Sequence, residues 1–344
     1  MKLSRLMVLA AAMGSLVACS ESPAPMDLAI ENVTLVDAVN AAREGKTVLV
    51  KGGMIVEILD SGTDFLATET IDAPGKYLIP GLWDFHVHFT YDSRFTDAMA
   101  GLFLYHGVTN VRDTGGLRED ILPIVEKLRA PEAVAPAIWF AGPLLDGGDV
   151  VYDGINLPGL GVANATPEEA RANIESIHEA GASFHKIYEI MTPEVFEAIV
   201  DEAGQRGLPI DGHVPLSMRA RQVVSKVQSL EHLRNYELDC VADPDARRAT
   251  RLAELANDAG EPGSALRARL HRLQRIPAIL DEDDTECLAS TEALKSTISV
   301  PTLRLNSTRL NVPLLRDDFD VALALTPASV QTDWGNAKTQ LMPA

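Results

Sequence analysis

IPGLWDFHVHFT, residues 79–90, decides how the rest of the chain is read. A Pro80-Gly81 break leads into an apolar run that carries His86 and His88. Residues two apart on a strand point to the same face. The two imidazoles therefore share one side of one strand end. Neutral imidazole is a common ligand for zinc and similar ions. An HxH pair alone is weak, because surface and core histidines produce it too.

The chain around this stretch has 344 residues, long enough for a large barrel plus an accessory module. Apolar residues make up 46%, enough for a sizeable core. The net charge of −19 argues against a nucleic-acid surface, which needs clustered Lys and Arg. Residues 1–19 read as a separate export signal. Lys2 and Arg5 precede an apolar run at residues 6–14, too short to span a bilayer. Leu16-Val17-Ala18-Cys19, followed by Ser20 and a polar tether, resembles the lipobox of bacterial lipoproteins, with Cys19 as the lipidated residue. Ser20, in place of Asp, implies the outer membrane, with the protein facing the periplasm and held to the membrane through its N-terminal lipid alone. Cys240 and Cys287 remain; a disulfide between them is allowed but not required.

Residues 20–80 read as a tether and the N-terminal part of a β-sandwich module, with short strands broken by Gly-Gly, Ser-Gly and Pro-Gly turns. From residue 81 strands alternate with helices, the signature of a parallel sheet with helical crossovers. Seven strands are legible, one short of an eight-stranded barrel. In such a barrel, groups at the C-terminal strand ends line the active-site mouth. His86 and His88 end the first strand, Lys186 in "FHKIYE" the fourth, His213 in "DGHVP" the fifth and His232 in "LEHL" the sixth.

With these residues placed, the chain resembles the amidohydrolase superfamily, in its imidazolonepropionase-like and Xaa-Pro-dipeptidase-like (prolidase-like) branch. "DAPGKYLIPGLWDFHVH", "GVTNVRDTGG", "FHKIYE…TPEVF", "GLPIDGHVP", "SLEHL" and "VPTL" carry the resemblance across most of residues 27–305. It implies a (β/α)8 barrel over residues 81–344 with a divalent metal pair, usually zinc. His86 and His88 would bind one metal, and His213 and His232 the other. Lys186 would be carboxylated by carbon dioxide and bridge both, since a carbamate offers two anionic oxygens where a free lysine is a cation. Two metals lower the pKa of a bridging water and polarise a carbonyl. Lys186 and His232 take catalytic roles by the same resemblance. Tyr188, on the strand face of Lys186, is a candidate for a substrate carboxylate or a packing aromatic. Asp84 is expected to hydrogen-bond behind a ligand imidazole, and Arg112-Asp113 to stabilise the second strand's end. His185, His106, His178 and His271 read as structural.

The resemblance also implies a further ligand and general base, an Asp in an apolar-Gly-Thr-Asp context at the end of an eighth strand. No such strand is legible before residue 344, and the barrel is expected to be incomplete. Asp333 in "VQTDWGNAK" is assigned instead to the loop and helix after strand seven, with Pro327 and Trp334. The expected function is metal-dependent hydrolysis of C–N bonds in short peptides or cyclic amides, with a dipeptidase among the candidates. The alternatives are a non-catalytic lipid-anchored binding protein lacking the general base, and an esterase or lactonase on the same centre.

Overall fold

The computed structural model describes residues 24–257, 260–274, 283–308 and 312–341. The signal segment and Cys19 lie outside the described residues. The chain divides into two compact units, Met1–Pro80 and Gly81–Ala344. No described helix is long and apolar enough to cross a membrane.

The first unit holds one five-stranded sheet among its described residues. Its strands are β1 (Met26–Leu35), β2 (Arg43–Lys51), β3 (Met54–Asp60), β4 (Ala67–Asp72) and β5 (Tyr77–Leu78). β1 is central: it pairs antiparallel with β2 and parallel with β4 and β5. The β2–β3 hairpin turns on Gly52 and Gly53, both at positive φ (+59° and +75°), as a two-residue turn of this hand requires. Val33, Leu35 and Val48 form its buried core.

The second unit carries β6 (Leu82–Val87), β7 (Val108–Asp113), β8 (Ala137–Phe140), β9 (Leu144–Leu145), β10 (Gly161–Val162), β11 (His185–Ile187), β12 (Ile210–Gly212), β13 (Ser229–Glu231) and β14 (Ile298–Val300). All pair in parallel, in the orders β6-β7-β8 and β10-β9-β11-β12-β13-β14. "AIWFAGPLL" is therefore two strands. Gly142 at φ +75° and Pro143, which has no N–H to give, break the ladder between β8 and β9. Backbone bonds from Ser183 to Phe140 and from Tyr188 to Leu145 still join both pieces to the β11 segment.

The outward face of this sheet is apolar. Val111, Ile138, Ile187 and Leu230 pack with Ile121, Val125, Ile174, Ile177, Phe196 and Ile199 of the crossover helices. Each such burial contributes about 1.5–3 kcal/mol. The helix Pro167–Glu179 starts as its sequence dictates: the Thr166 hydroxyl accepts from the Glu169 N–H at 3.2 Å, and Glu169 accepts from Ala165 N at 2.7 Å.

The inward face is charged. Arg112 of β7 reaches Asp211 of β12 at 2.7 Å, and His86 of β6 reaches Glu231 of β13 at 2.6 Å. Strands distant in the pairing order thus meet side chain to side chain, so the sheet curls around an interior. Among the described residues no strand pairs β14 with β6, and the curl is open there. Between β13 and β14 run the helices Pro244–Leu255, Gly263–Gln274 and Thr285–Leu294. A Cys240–Cys287 disulfide, which the sequence left open, ties the helix Thr285–Leu294 to the turn at Glu237–Cys240.

Candidate active site

His86, His88, Lys186, Tyr188, His213 and His232 line one cavity of about 750 Å³ in the second unit. The curled sheet gathers them at its C-terminal edge. Ring centroids lie 5.1 Å apart for His86 and His88, 4.4 Å for His86 and His232, and 4.9 Å for His213 and His232. The Tyr188 ring stands 4.6 Å from that of His213.

Period-two alternation places most of this set. Lys186 and Tyr188 share a face, as do Asp211 and His213 across Gly212. Gly212 is required: a Cβ there would sit 2.3 Å from the Ile187 carbonyl oxygen, and its φ is +153°. His232 breaks the alternation, because Glu231 before it already points inward. Its left-handed φ of 62°, with Leu233 at 54° and Asn235 at 65°, swings the ring back over the cavity. Strain of this kind gathers at functional sites. The buried Asn235 anchors the turn by donating to the Val214 carbonyl at 2.8 Å.

Every imidazole has its Nδ1 held. His86 Nδ1 lies 2.6 Å from Glu231, and His213 Nδ1 2.6 Å from Glu189. His88 Nδ1 lies 2.9 Å from the Gly115 carbonyl, and His232 Nδ1 2.6 Å from the Thr302 hydroxyl. Burial disfavours the imidazolium and lowers all four pKa values, to about 4 for His88 and His213 and further for His86 and His232. A neutral ring that donates from Nδ1 keeps its lone pair on Nε2. His213 Nε2 is buried and has no hydrogen-bond partner among the described residues.

Lys186 is 1% exposed, 3.2 Å from Asp211 and 3.4 Å from Glu231. Arg112 joins the same carboxylates at 2.7 Å and 3.8 Å, stacked 4.5 Å over Phe184. Ser229 donates to Asp211 at 2.5 Å. Two cations and two carboxylates thus form a balanced buried set beneath the imidazoles. Asp113 caps the end of β7 by accepting from Phe89 N at 2.7 Å and Gly115 N at 3.1 Å, while burial pushes its pKa up to about 7.

Glu189 is fully buried. Burial acts to raise its pKa, but hydrogen bonds from His213 and His271 and the charge of Arg267 outweigh it and hold the carboxyl well below its usual range. Arg267 Nε stands 2.7 Å and His271 Nε2 2.6 Å from Glu189 Oε2.

The donor set suits a divalent cation: four neutral imidazoles, each oriented from behind, with Lys186 among them. They are gathered and not converged. Among the described residues no group of three or more His, Cys, Asp and Glu side chains stands as a formed metal site.

The set His86, His88, Lys186, His213, His232 and Tyr188 is thus brought together. Asp84 lines the cavity but accepts from the His86 backbone N–H at 3.1 Å; the imidazole partner is Glu231. Asp333 sits on the helix Ala328–Leu341, 61% exposed and 2.6 Å from Arg94. His185 is fully buried away from the cavity. Glu189, Asp211, Glu231 and Thr302 were missed. Asp211 lies two before His213, so the same-face rule could have found it.

No protein-family model matches the chain. It is 31% identical over 162 residues to an adenine deaminase of Rhizobium etli, covering 42% of this chain and 27% of that protein. The matched part thus spans about a quarter of that curated relative's length. The fold is similar to the crystal structure of a Xaa-Pro dipeptidase with bound methionine, at TM-score 0.58 and 17% identity, over 91% of this chain and 74% of that one. It is also similar to a putative prolidase from Bifidobacterium longum, at TM-score 0.55 and 22% identity, over 91% and 69% of the two chains. The likeness read from motifs is thus matched in fold by solved dipeptidase and prolidase structures, and in sequence over part of the chain by a deaminase.

Proposed function

We propose that this protein is a metal-dependent hydrolase of C–N bonds in small amides or short peptides, a dipeptidase among the candidates. The observation that carries the reading is the orientation of four neutral imidazoles, each held at Nδ1, around one cavity with Lys186. On this reading His86 and His88 hold one divalent ion, and His213 and His232 a second. Zinc is the metal expected. A bound ion pair would supply an activated water and polarise the scissile carbonyl.

The chain's own residues do the rest. Glu231 and Glu189 fix two of the rings, and Tyr188 offers its hydroxyl to a substrate carboxylate. Carboxylation of Lys186 by carbon dioxide would replace a cation with an anion between Asp211 and Glu231. Two divalent ions offset that charge, so carbamate and metals should appear together. His232, swung over the cavity by its strained turn, would take its catalytic part as a neutral ligand of the second ion. The export reading adds an anchor: lipid on Cys19 would tether the protein to the outer membrane, facing the periplasm.

One observation favours a second reading, a binding protein without turnover. Among the described residues lining the cavity, Asp84 is the sole carboxylate. Elemental analysis and a panel of dipeptides, amides and esters separate the two. Two metals per chain, with a rate abolished by chelation and restored by zinc, is the expected result. Metal-loaded protein without any chelator-sensitive rate would leave only the binding reading.

A further inference from the structure

We infer that the helix Gly263–Gln274 is a clamp that positions His213 by gripping Glu189 from the side opposite the imidazole. The inference rests on His213 serving the metal site, and it adds a device from outside the strand ends.

Glu189 lies two residues beyond β11 with its side chain at 0% exposure. Its Oε1 faces His213 Nδ1 at 2.6 Å. Its Oε2 accepts from Arg267 Nε at 2.7 Å and His271 Nε2 at 2.6 Å, and Arg267 Nη2 adds a contact to Oε1 at 3.3 Å. Residues 267 and 271 are four apart, so one helix face presents both donors. Leu266 and Leu270, one position earlier on the same helix, are buried against Tyr188, Leu144, Val151 and Leu216. At the helix start, a Cβ on Gly263 would lie 2.4 Å from the Val150 carbonyl oxygen, so the backbone is seated at contact distance. The Arg267 guanidinium also lies 5.5 Å from the Tyr188 ring centre.

A buried carboxylate bonded to one imidazole alone keeps rotamer freedom and an unmet charge. Two donors fixed on a packed helix remove both. The carboxylate then points one way, the His213 proton stays on Nδ1, and the bare Nε2 faces the cavity. The other three imidazoles take their Nδ1 partners from Glu231, Gly115 and Thr302, at or next to strand ends. His213 also takes its partner, Glu189, from next to a strand end, but that partner is gripped in turn by two side chains of one helix.

The test uses the full-length protein, stripped of metal and titrated with Co²⁺. Arg267→Met is compared with Arg269→Met. Arg269 lies on the same helix but pairs with Glu254 and Glu261, outside the cavity lining. Arg267→Met should weaken Co²⁺ binding about tenfold or more, the range for lost partners of ligand residues, while Arg269→Met stays within about twofold. Imidazole ¹⁵N NMR of the metal-free protein gives a second readout: the His213 resonance should hold the Nδ1–H form in the wild type and in Arg269→Met, and lose it in Arg267→Met. Equal effects of the two substitutions, or none, overturn the clamp. If Arg267→Met does not fold, Arg267→Lys must still weaken Co²⁺ more than Arg269→Lys. A wild type that takes up no Co²⁺ sinks the metal-hydrolase reading, and the NMR comparison still decides the clamp.

Discussion

Glu231 and Glu189 each put a carboxylate oxygen 2.6 Å from a site imidazole, His86 in one case and His213 in the other. Both side chains have no exposed surface. They differ in where their charge is met. Glu231 faces Lys186 and Arg112, which stand on β11 and β7, with side chains 1% and 10% exposed. Glu189 faces Arg267 and His271, which stand on one helix of the β13–β14 segment and are 19% and 27% exposed, with Arg234 of the turn after β13 at 3.8 Å and 33% exposed. The first network is built from the inward face of the sheet itself. The second is completed from outside it. The lesson is that two rings of one site can be fixed with equal geometry and unequal dependence on the core of the sheet.

Neutralising each carboxylate should expose that inequality. Glu231→Gln leaves Lys186 and Arg112 sharing one carboxylate, Asp211, while both stay nearly buried. Breaking a buried pair in this way costs about 3–5 kcal/mol. Glu189→Gln leaves Arg267 and His271 partly open to solvent, and the loss should be nearer 1–3 kcal/mol. Urea unfolding of both variants at pH 8 measures the difference. If Glu189→Gln costs as much as Glu231→Gln, the distinction between core-built and helix-built networks is wrong.

The Cys240–Cys287 bridge closes a span of 47 residues that contains the Glu189-gripping helix. Removing it as Cys240→Ser with Cys287→Ser should cost about 2–4 kcal/mol. Hydrogen exchange adds resolution: protection should fall in residues 244–294 while β6 and β7 keep theirs. A uniform loss across both would mean that the segment and the sheet unfold as one unit.

The distinction also explains what was legible beforehand. Period-two reading at strand ends found His86, His88, Lys186, Tyr188 and His213, because a parallel sheet sends such residues to one rim. His232 was found through its motif; alternation alone would have sent it outward, and only the left-handed turn at φ 62° brings it in. The Glu189 network could not be read at all. Its partners lie 78 and 82 residues further on, and no local pattern records a contact over that distance. The helix start at Thr166 was legible because capping residues act locally.

Acid should separate the metal-free protein from its ordinary stability. His86, His88, His185, His213 and His232 all have folded pKa values below the unfolded value near 6.5, chiefly through burial. The unfolded chain therefore takes up protons first, and the contribution of these rings is present above pH 6.5 and lost as pH falls below it. Asp113 and Asp146, both raised to about 7 by burial, and Asp211, also raised chiefly by burial, act in the opposite direction. Five rings outweigh three carboxyls, and the net loss between pH 6.5 and 5.5 should be roughly 1 kcal/mol. Thermal melts across that interval check the sign; stability rising on acidification would mean that the rings are charged in the fold.

The smallest effect belongs to Asp333, and it bears on whether this site draws on carboxylates beyond β14. Asp333 is helical, 61% exposed and paired with Arg94, which also pairs with Asp92 at 2.6 Å. Arg94 therefore keeps a partner when Asp333 is lost, and an exposed pair of this kind contributes little. Asp333→Asn should leave the urea midpoint and the Co²⁺ stoichiometry unchanged, in contrast to Glu231→Gln. Loss of one metal equivalent in Asp333→Asn would place this residue among the ligands. The helix Ala328–Leu341 would then have to bring a now exposed carboxylate to the cavity.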